Sequence, residues 1–354
     1  MRCLRVGLVA SLAAVLGFAI QAGAAPLDLK QVSAEAQWIG HVDFDAVRAS
    51  TVVKKAVDKA KERHKDAEQH LAMVRGMIGM DPTTDLHGIT LYGTQLGKPS
   101  GVAIVHAKVD QKRLLGLAQA LPNRETTKYG QYEISSWTRN RGKHSHTLSV
   151  AFPREDLLVV ASGVEQLTKA LDVLDGKAAG TGGDAPLAGN VPPGTTVLFR
   201  VAGIAGANLD CCKSPVVKQA EAFRFVTGEH EGQSFFRARV TMTNSEIAGQ
   251  LNQVVEGGHA LAKLHGGNES ETKLVNGLRE HVEGNSLTVL WSASAGDVWN
   301  VIEQHAKHFE EMRAKMRQRM GQRGETGRHR GGPRGQRGRG EAPAKKAANP
   351  EEDF

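Results

Sequence analysis

Two stretches of the chain repeat one pattern, and that repeat restricts the fold more than any compositional figure. His87-Gly88-Ile89-Thr90-Leu91-Tyr92-Gly93 is followed by Gly101-Val102-Ala103-Ile104-Val105-His106-Ala107-Lys108 and a helical stretch from Asp110 to Leu121. Phe223-Arg224-Phe225-Val226-Thr227-Gly228 is followed by Ser234-Phe235-Phe236-Arg237-Ala238-Arg239-Val240-Thr241 and a helical stretch from Ser245 to Val255. Each reads as strand, Gly-containing turn, strand, capped helix. Such a module sets how a core is layered and names no reaction.

The first 24 residues read as an export signal. Arg2 and Arg5 precede an apolar run from Val6 to Ile20, and Ala22-Gly23-Ala24 supplies the small-x-small cleavage pattern. The run is short for a membrane span of about 20 residues, so cleavage after Ala24 is expected rather than an uncleaved anchor. Cys3 lies away from the cut and does not suggest a lipid-modified cysteine. With no later apolar span, the expectation is a secreted or periplasmic protein without a transmembrane segment after cleavage.

Charge is segregated along the chain. The net charge is +7, from 45 basic and 38 acidic residues. Residues 313–354 hold 12 basic and 5 acidic side chains, which leaves residues 25–312 with 31 and 33. The body is therefore nearly neutral and the tail carries the basic character. Cys211 and Cys212 are the only cysteines past the signal. They are adjacent and poorly placed to bridge each other, so an apolar core must hold the body together; they read as incidental loop thiols, against a redox or soft-metal site.

Two halves are expected, over 25–176 and 195–312, with a Gly/Ala/Pro linker at 177–194. The first opens with a strand at Ala36–Phe44. A long charged helix follows over Ala46–Met80, with an apolar seam at Val53, Val57, Ala60, His64, Ala67, Leu71, Val74 and Ile78. Strands are expected at Leu86–Tyr92, Gly101–Lys108, Gln131–Trp137, Thr147–Phe152 and Leu157–Ala161. A helix then opens on the capping box Ser162-Gly163-Val164-Glu165 and stops at Gly176. The second half restarts with a strand at Thr196–Val201 and a short helix reaching about Ala222. After its repeat unit come a helix over Ser270–His281, a strand at Ser286–Ser292 and a final helix from Gly296. Hairpin-length loops between strands argue for antiparallel sheet covered by helices, an α+β fold of two related halves.

The segment Asp81-Pro82-Thr83-Thr84-Asp85-Leu86-His87-Gly88-Ile89-Thr90-Leu91-Tyr92-Gly93, with the signal and the paired halves, resembles uncharacterised exported bacterial proteins with duplicated strand–helix halves. The resemblance extends over most of residues 26–305 and implies no activity and no catalytic residues.

Candidate chemistry is sparse. His41, Asp43 and Asp45 alternate with Val42 and Phe44, which would place an imidazole and two carboxylates on one strand face. Such a set could hold a divalent metal in a hydrolase. The simpler reading is the wet face of a half-buried strand, with Asp45 capping the next helix. His144 and His146 flank a turn and His305 and His308 sit one helical turn apart, yet none completes a zinc motif. Gly180-Thr181-Gly182-Gly183 precedes Pro186 and cannot open a phosphate-cradling helix. No cofactor is expected. Aromatic residues make up 5% of the chain, too few for a sugar-stacking platform, and Trp137, Trp291 and Trp299 read as core.

The strongest chemical signal is C-terminal. Val298, Ile302, His305, Phe309, Met312 and Met316 form a stripe flanked by Arg313, Lys315, Arg317 and Arg319. This could be a packed helix fraying into solvent, or a basic amphipathic helix for an anionic surface. Beyond it Arg323, Arg328, Arg330, Arg334, Arg337 and Arg339 lie in Gly-rich sequence with almost no apolar residues, expected to stay disordered over 313–354. Guanidinium groups on a flexible chain make bidentate contacts with phosphate and stack on bases, with no specific nucleic-acid sequence expected. The expected function is thus a non-catalytic structural or interaction protein whose tail meets an anionic polymer, an anionic membrane surface or an acidic protein. The alternatives are a solubilising tail without a partner, a binding module for an apolar small ligand, and the metal-dependent hydrolase above.

Overall fold

The computed structural model describes residues 26–328, apart from 64–66, 98–100, 120–121, 142–143, 184, 208–214 and 266. The proposed signal, Cys211, Cys212 and His64 lie outside the described residues.

Every named strand among the described residues belongs to one antiparallel sheet. In chain order the strands are β1 (Trp38–Asp43), β2 (Leu86–Gly93), β3 (Val102–Ala107), β4 (Arg124–Tyr129), β5 (Tyr132–Arg141), β6 (His144–Arg154), β7 (Leu157–Ala161), β8 (Thr195–Ala202), β9 (Ala220–His230), β10 (Gln233–Met242), β11 (Leu278–Glu283) and β12 (Ser286–Ser294). Across the sheet they run β11-β12-β10-β9-β8-β1-β2-β3-β7-β6-β5-β4. The centre is the β1–β8 pair, in which His41 faces Leu198 and Ile39 faces Arg200. The fold is α+β, as expected from the hairpin spacing.

The helices are α1 (Phe44–Ala49), α2 (Thr51–Arg63), α3 (Ala67–Ile78), α4 (Gln111–Gln119), α5 (Val164–Leu174), α6 (Pro215–Lys218), α7 (Ser245–Leu264), α8 (Glu269–Asn276) and α9 (Ala295–Arg328). The larger core sits on one face. Ile39, Tyr92, Ile104, Val159 and Leu198 project from it and meet Leu167 and Leu171 of α5. Burying each of those leucines is worth about 1.5–3 kcal/mol. A smaller cluster of Ile204, Ala220, Met242 and Ala248 packs with Val201, Phe223, Ile247 and Leu251. Val201 and Leu198 are an odd number of residues apart on β8, so the two clusters occupy opposite faces. Helix α5 covers one face of the first arm, and α7 covers the other face of the second.

Residues 177–194 are a packed strap rather than a loose linker. Thr181 donates from its amide to Val32 O at 2.7 Å and from its hydroxyl to Ser33 O at 2.8 Å, while Leu187 is fully buried. The strap lies on the larger-core face.

Several expectations from sequence need correction. The charged stretch 46–80 is not one continuous helix, because it breaks at Ser50. Ser50 leaves helical geometry (ψ 131°), and its hydroxyl donates to Glu229 at 2.7 Å. Glu229 also accepts the Thr51 and Val52 amides at 2.8 and 3.3 Å, so a carboxylate from β9 caps α2. The seam is only partly covered: Val57, Ala60 and Val74 are exposed, while Val53, Leu71 and Ile78 are half-buried. Ahead of α5, Gly163 is the N-cap at φ 101°, which moves Ser162 one position out; its hydroxyl accepts the Gly101 amide, and no capping box forms. The reverse occurs at α8, where Asn268 and Glu271 do form one.

The helix expected over Ser270–His281 ends at Gly277. A Cβ there would stand 2.2 Å from Ser292 O, so only glycine lets the chain turn into β11. Helix α6 stops at Lys218, and β9 begins at Ala220. Strand β4 was not anticipated, since Arg-Glu-Thr-Thr-Lys-Tyr shows no apolar alternation; it is a polar edge strand. Helix α9 runs through Arg328, into the segment expected to be disordered from 313, because Met312, Arg313, Ala314, Lys315 and Met316 all favour helix.

Residues Met1–Ile302 form one compact unit and Glu303–Phe354 a second. No helix among the described residues is long and apolar enough to cross a membrane.

Candidate functional site

The strands of the second arm build an arginine row. In their register Arg200 of β8 faces Arg224 of β9, and Arg224 faces Arg239 of β10. Arg237 lies two residues before Arg239 and so on the same face. Thr288 and Leu290 of β12 stand opposite Arg239 and Arg237. Together with strap residues Gly189 and Asn190, these side chains line a cavity of about 300 Å³ with no carboxylate among the described residues of its wall.

The four arginines differ in surroundings. Arg200 is buried, and its guanidinium donates to the carbonyls of Leu187, Gly189 and Asn190 at 2.7, 3.1 and 2.9 Å. Burial, with the neighbouring Arg224 charge, pushes Arg200 down to about 10. Arg224 donates to Pro186 O at 2.7 Å. Gly189, at φ 130°, lets the strap approach, since a Cβ there would sit 3.3 Å from Arg224 Nη1. Arg239 meets the exposed Glu283 at 4.0 Å. Arg237 is exposed and takes no hydrogen bond or ion pair within the described residues.

A second cavity, of about 440 Å³, is lined by His259, Lys263, Asn276, Leu278, Arg279 and Glu280. His259 is buried; its Nε2 lies 3.0 Å from Val275 O and its Nδ1 3.3 Å from Glu280 Oε1. These contacts tie α7 to α8 and β11.

The candidate metal face does not converge. His41 and Asp43 share a face of β1, but that face is the buried one and not the wet one. His41 Nδ1 bonds Thr90 Oγ1 at 2.9 Å. Asp43, rather than Asp45, caps α1, accepting the Ala46 amide at 2.8 Å. Asp45 lies within α1 and pairs with Arg48 and with His87, whose Nδ1 is 3.0 Å away. No group of three or more His, Cys, Asp or Glu side chains is placed to hold a metal ion among the described residues.

Of the tail residues, Arg317 is exposed on α9, as are Arg313 and Lys315. Arg319, Arg323 and Arg328 fall on the same helix. Arg330, Arg334, Arg337 and Arg339 lie outside the described residues. Phe309, Met312 and Met316 of the apolar stripe are exposed. Trp137 and Trp291 donate to Ala118 O and Leu274 O at 3.2 and 2.7 Å, and Trp291 stacks on Phe236.

The arginine row escaped the sequence reading. A local signal existed, since arginine alternates with apolar residues in Phe199-Arg200-Val201, Phe223-Arg224-Phe225 and Phe236-Arg237-Ala238-Arg239. Which strands adjoin and in what register is needed to bring the guanidiniums together.

No family model matches the chain, and no curated protein matches it. Among solved structures, crystal form III of TP0453 is similar at 12% identity and TM-score 0.41, over 78% of this chain and 98% of that one. Crystal form I of TP0453 gives 12% and 0.39 over 79% and 98%. The architecture described above stands on this chain's own strands and register.

Proposed function

We propose that this is an exported, non-catalytic interaction protein that holds anionic polymers through its basic C-terminal segment. The observation that carries this reading is the placement of charge. A nearly neutral body precedes a helix whose Arg313, Lys315 and Arg317 are all exposed and whose sequence continues into the Arg/Gly stretch. Export supplies the partner class, because polymers outside the cytoplasm are rich in phosphate, sulfate and carboxylate. Two related halves are part of the same reading. What supports them is the order of the arms, β1-β2-β3 followed by α4 and β8-β9-β10 followed by α7, which meet at β1 and β8.

The test is retention of the full-length protein on heparin at low salt. A variant with Arg317, Arg319, Arg323, Arg328, Arg330, Arg334, Arg337 and Arg339 all replaced by Gln should elute at clearly lower salt than the parent. Retention equal to that of the parent would overturn the proposal.

A further inference from the structure

The arginine row raises a question that strap anchoring answers only in part. Like charges directly opposite each other in an antiparallel pair are unfavourable. Here three arginines face one another across β8, β9 and β10, and a fourth adjoins them on β10. Arg200 and Arg224 have an evident structural task, because they donate to four strap carbonyls from Pro186 to Asn190. Arg237 and Arg239 do not. Their only described ionic partner is Glu283, 4.0 Å from Arg239 and three-quarters exposed. An exposed pair at that distance is worth little.

Carbonyl acceptors also leave the positive charge in place. They take three hydrogen bonds from Arg200 while four formal charges remain around one cavity with no carboxylate among the described residues of its wall. A site of this kind is complementary to a compact anion with more than one charge. Guanidinium forks match the oxygen pairs of phosphate and sulfate. The wall adds a hydroxyl from Thr288 and an amide side chain from Asn190, both able to bond an oxyanion. Leu290 and Val226 add an apolar flank suited to a small organic group. At about 300 Å³ the cavity lies at the lower end of the range for small-molecule sites, about 300–1,000 Å³.

We propose that Arg224, Arg237 and Arg239, backed by the strap-bound Arg200, form a specific site for a phosphate or sulfate monoester on the sheet body. The ester oxygens sit among the guanidiniums, and the organic group lies against Leu290. The site is separate from the C-terminal segment and does not rest on that segment binding polymers. Whether the group arrives on a small molecule or at the end of a polymer, the recognised chemistry is the same.

The test is calorimetric titration of the full-length protein at constant ionic strength, with chloride as the balancing anion. The probes are inorganic phosphate, inorganic sulfate, phenyl phosphate and the terminally phosphorylated dinucleotide of DNA. The parent should bind phenyl phosphate at one site, more tightly than inorganic phosphate. Arg237→Gln and Arg239→Gln should each weaken that binding about tenfold or more, and Arg237→Lys should retain most of it. The dinucleotide binding as well as phenyl phosphate would mark a polymer end as the source, and exclusion of it would mark a small ester. The variant lacking the eight C-terminal arginines should bind phenyl phosphate as the parent does, which separates this site from the polymer-binding proposal. Without ligand, Arg237→Gln should melt no lower than the parent, because it relieves repulsion. No saturable binding by the parent, unchanged affinity in both Gln variants, or loss in the C-terminal variant would overturn the proposal. So would a lowered melting temperature in both Gln variants, which would assign these arginines to holding the sheet.

Discussion

Single residues show where burial, rather than residue type, decides chemistry. His41 reads in sequence as a possible metal ligand, yet it is enclosed on the core face with Nδ1 on Thr90 and no partner for Nε2 among the described residues. Burial, aided by the nearby His106, holds its pKa down to about 4. The sign of the consequence is fixed. Above about pH 7 the imidazole is neutral whether folded or unfolded. As pH falls through 6.5 the unfolded chain takes a proton that the folded chain refuses, so stability declines until about pH 4. The loss amounts to about 3 kcal/mol. Denaturant unfolding from pH 7 to 4 should show this decline in the parent and a flatter profile in His41→Leu, whatever that variant's stability at pH 7. An equally steep profile in both would refute the assignment. Alternation along the strand made His41 and Asp43 visible as neighbours on one face. It could not say which face was wet, because that depends on neighbours distant in sequence such as Thr90 and His106.

At the scale of elements, most strands and helices follow from local pattern, and the errors fall where a distant residue decides. The strand–turn–strand repeats, the Asp110 cap of α4 (Arg113 amide at 3.0 Å) and the Gly176 stop after α5 were legible in sequence. The break at Ser50 was not, because its cause is Glu229, far along the chain. That carboxylate accepts the Thr51 and Val52 amides and the Ser50 hydroxyl, closing the start of α2. Burial pushes the Glu229 carboxyl up, and the Thr51, Ser50 and Val52 donors more than reverse this, so it stays below the usual carboxylate range. Its contribution to stability is therefore present above about pH 4.5 and is lost as pH falls through the lowered value. Glu229→Gln should destabilise the protein by about 1–2 kcal/mol at pH 7, as for loss of a helix cap, and hydrogen exchange should quicken at the amides of Thr51 and Val52. Unchanged exchange there would show that α2 is held by something else. The misread segment 270–281 has the same origin in part. Gly277 is itself a weak helix former and a local stop signal, and the approach of Ser292 O shows why the chain turns into a strand there.

Across the whole molecule, a nearly neutral sheet body precedes a basic C-terminal segment. One sheet of twelve strands, joined at β1 and β8 and tied by the strap, leaves polar strands β4 and β11 at its edges, where charged side chains discourage pairing with other chains. Composition alone located the basic character in residues 313–354 and the near-neutral balance in the body. It could not reveal that four arginines of that neutral body gather on one face, because net charge is blind to arrangement. The central claim is that the C-terminal arginines make the contacts with polymer. Its most direct test is the affinity of the full-length protein for a heparin oligosaccharide between 50 and 200 mM salt. Release of counterions from roughly six contacts predicts a fall of about a thousandfold. An affinity that stays within a few-fold across that range would contradict the account.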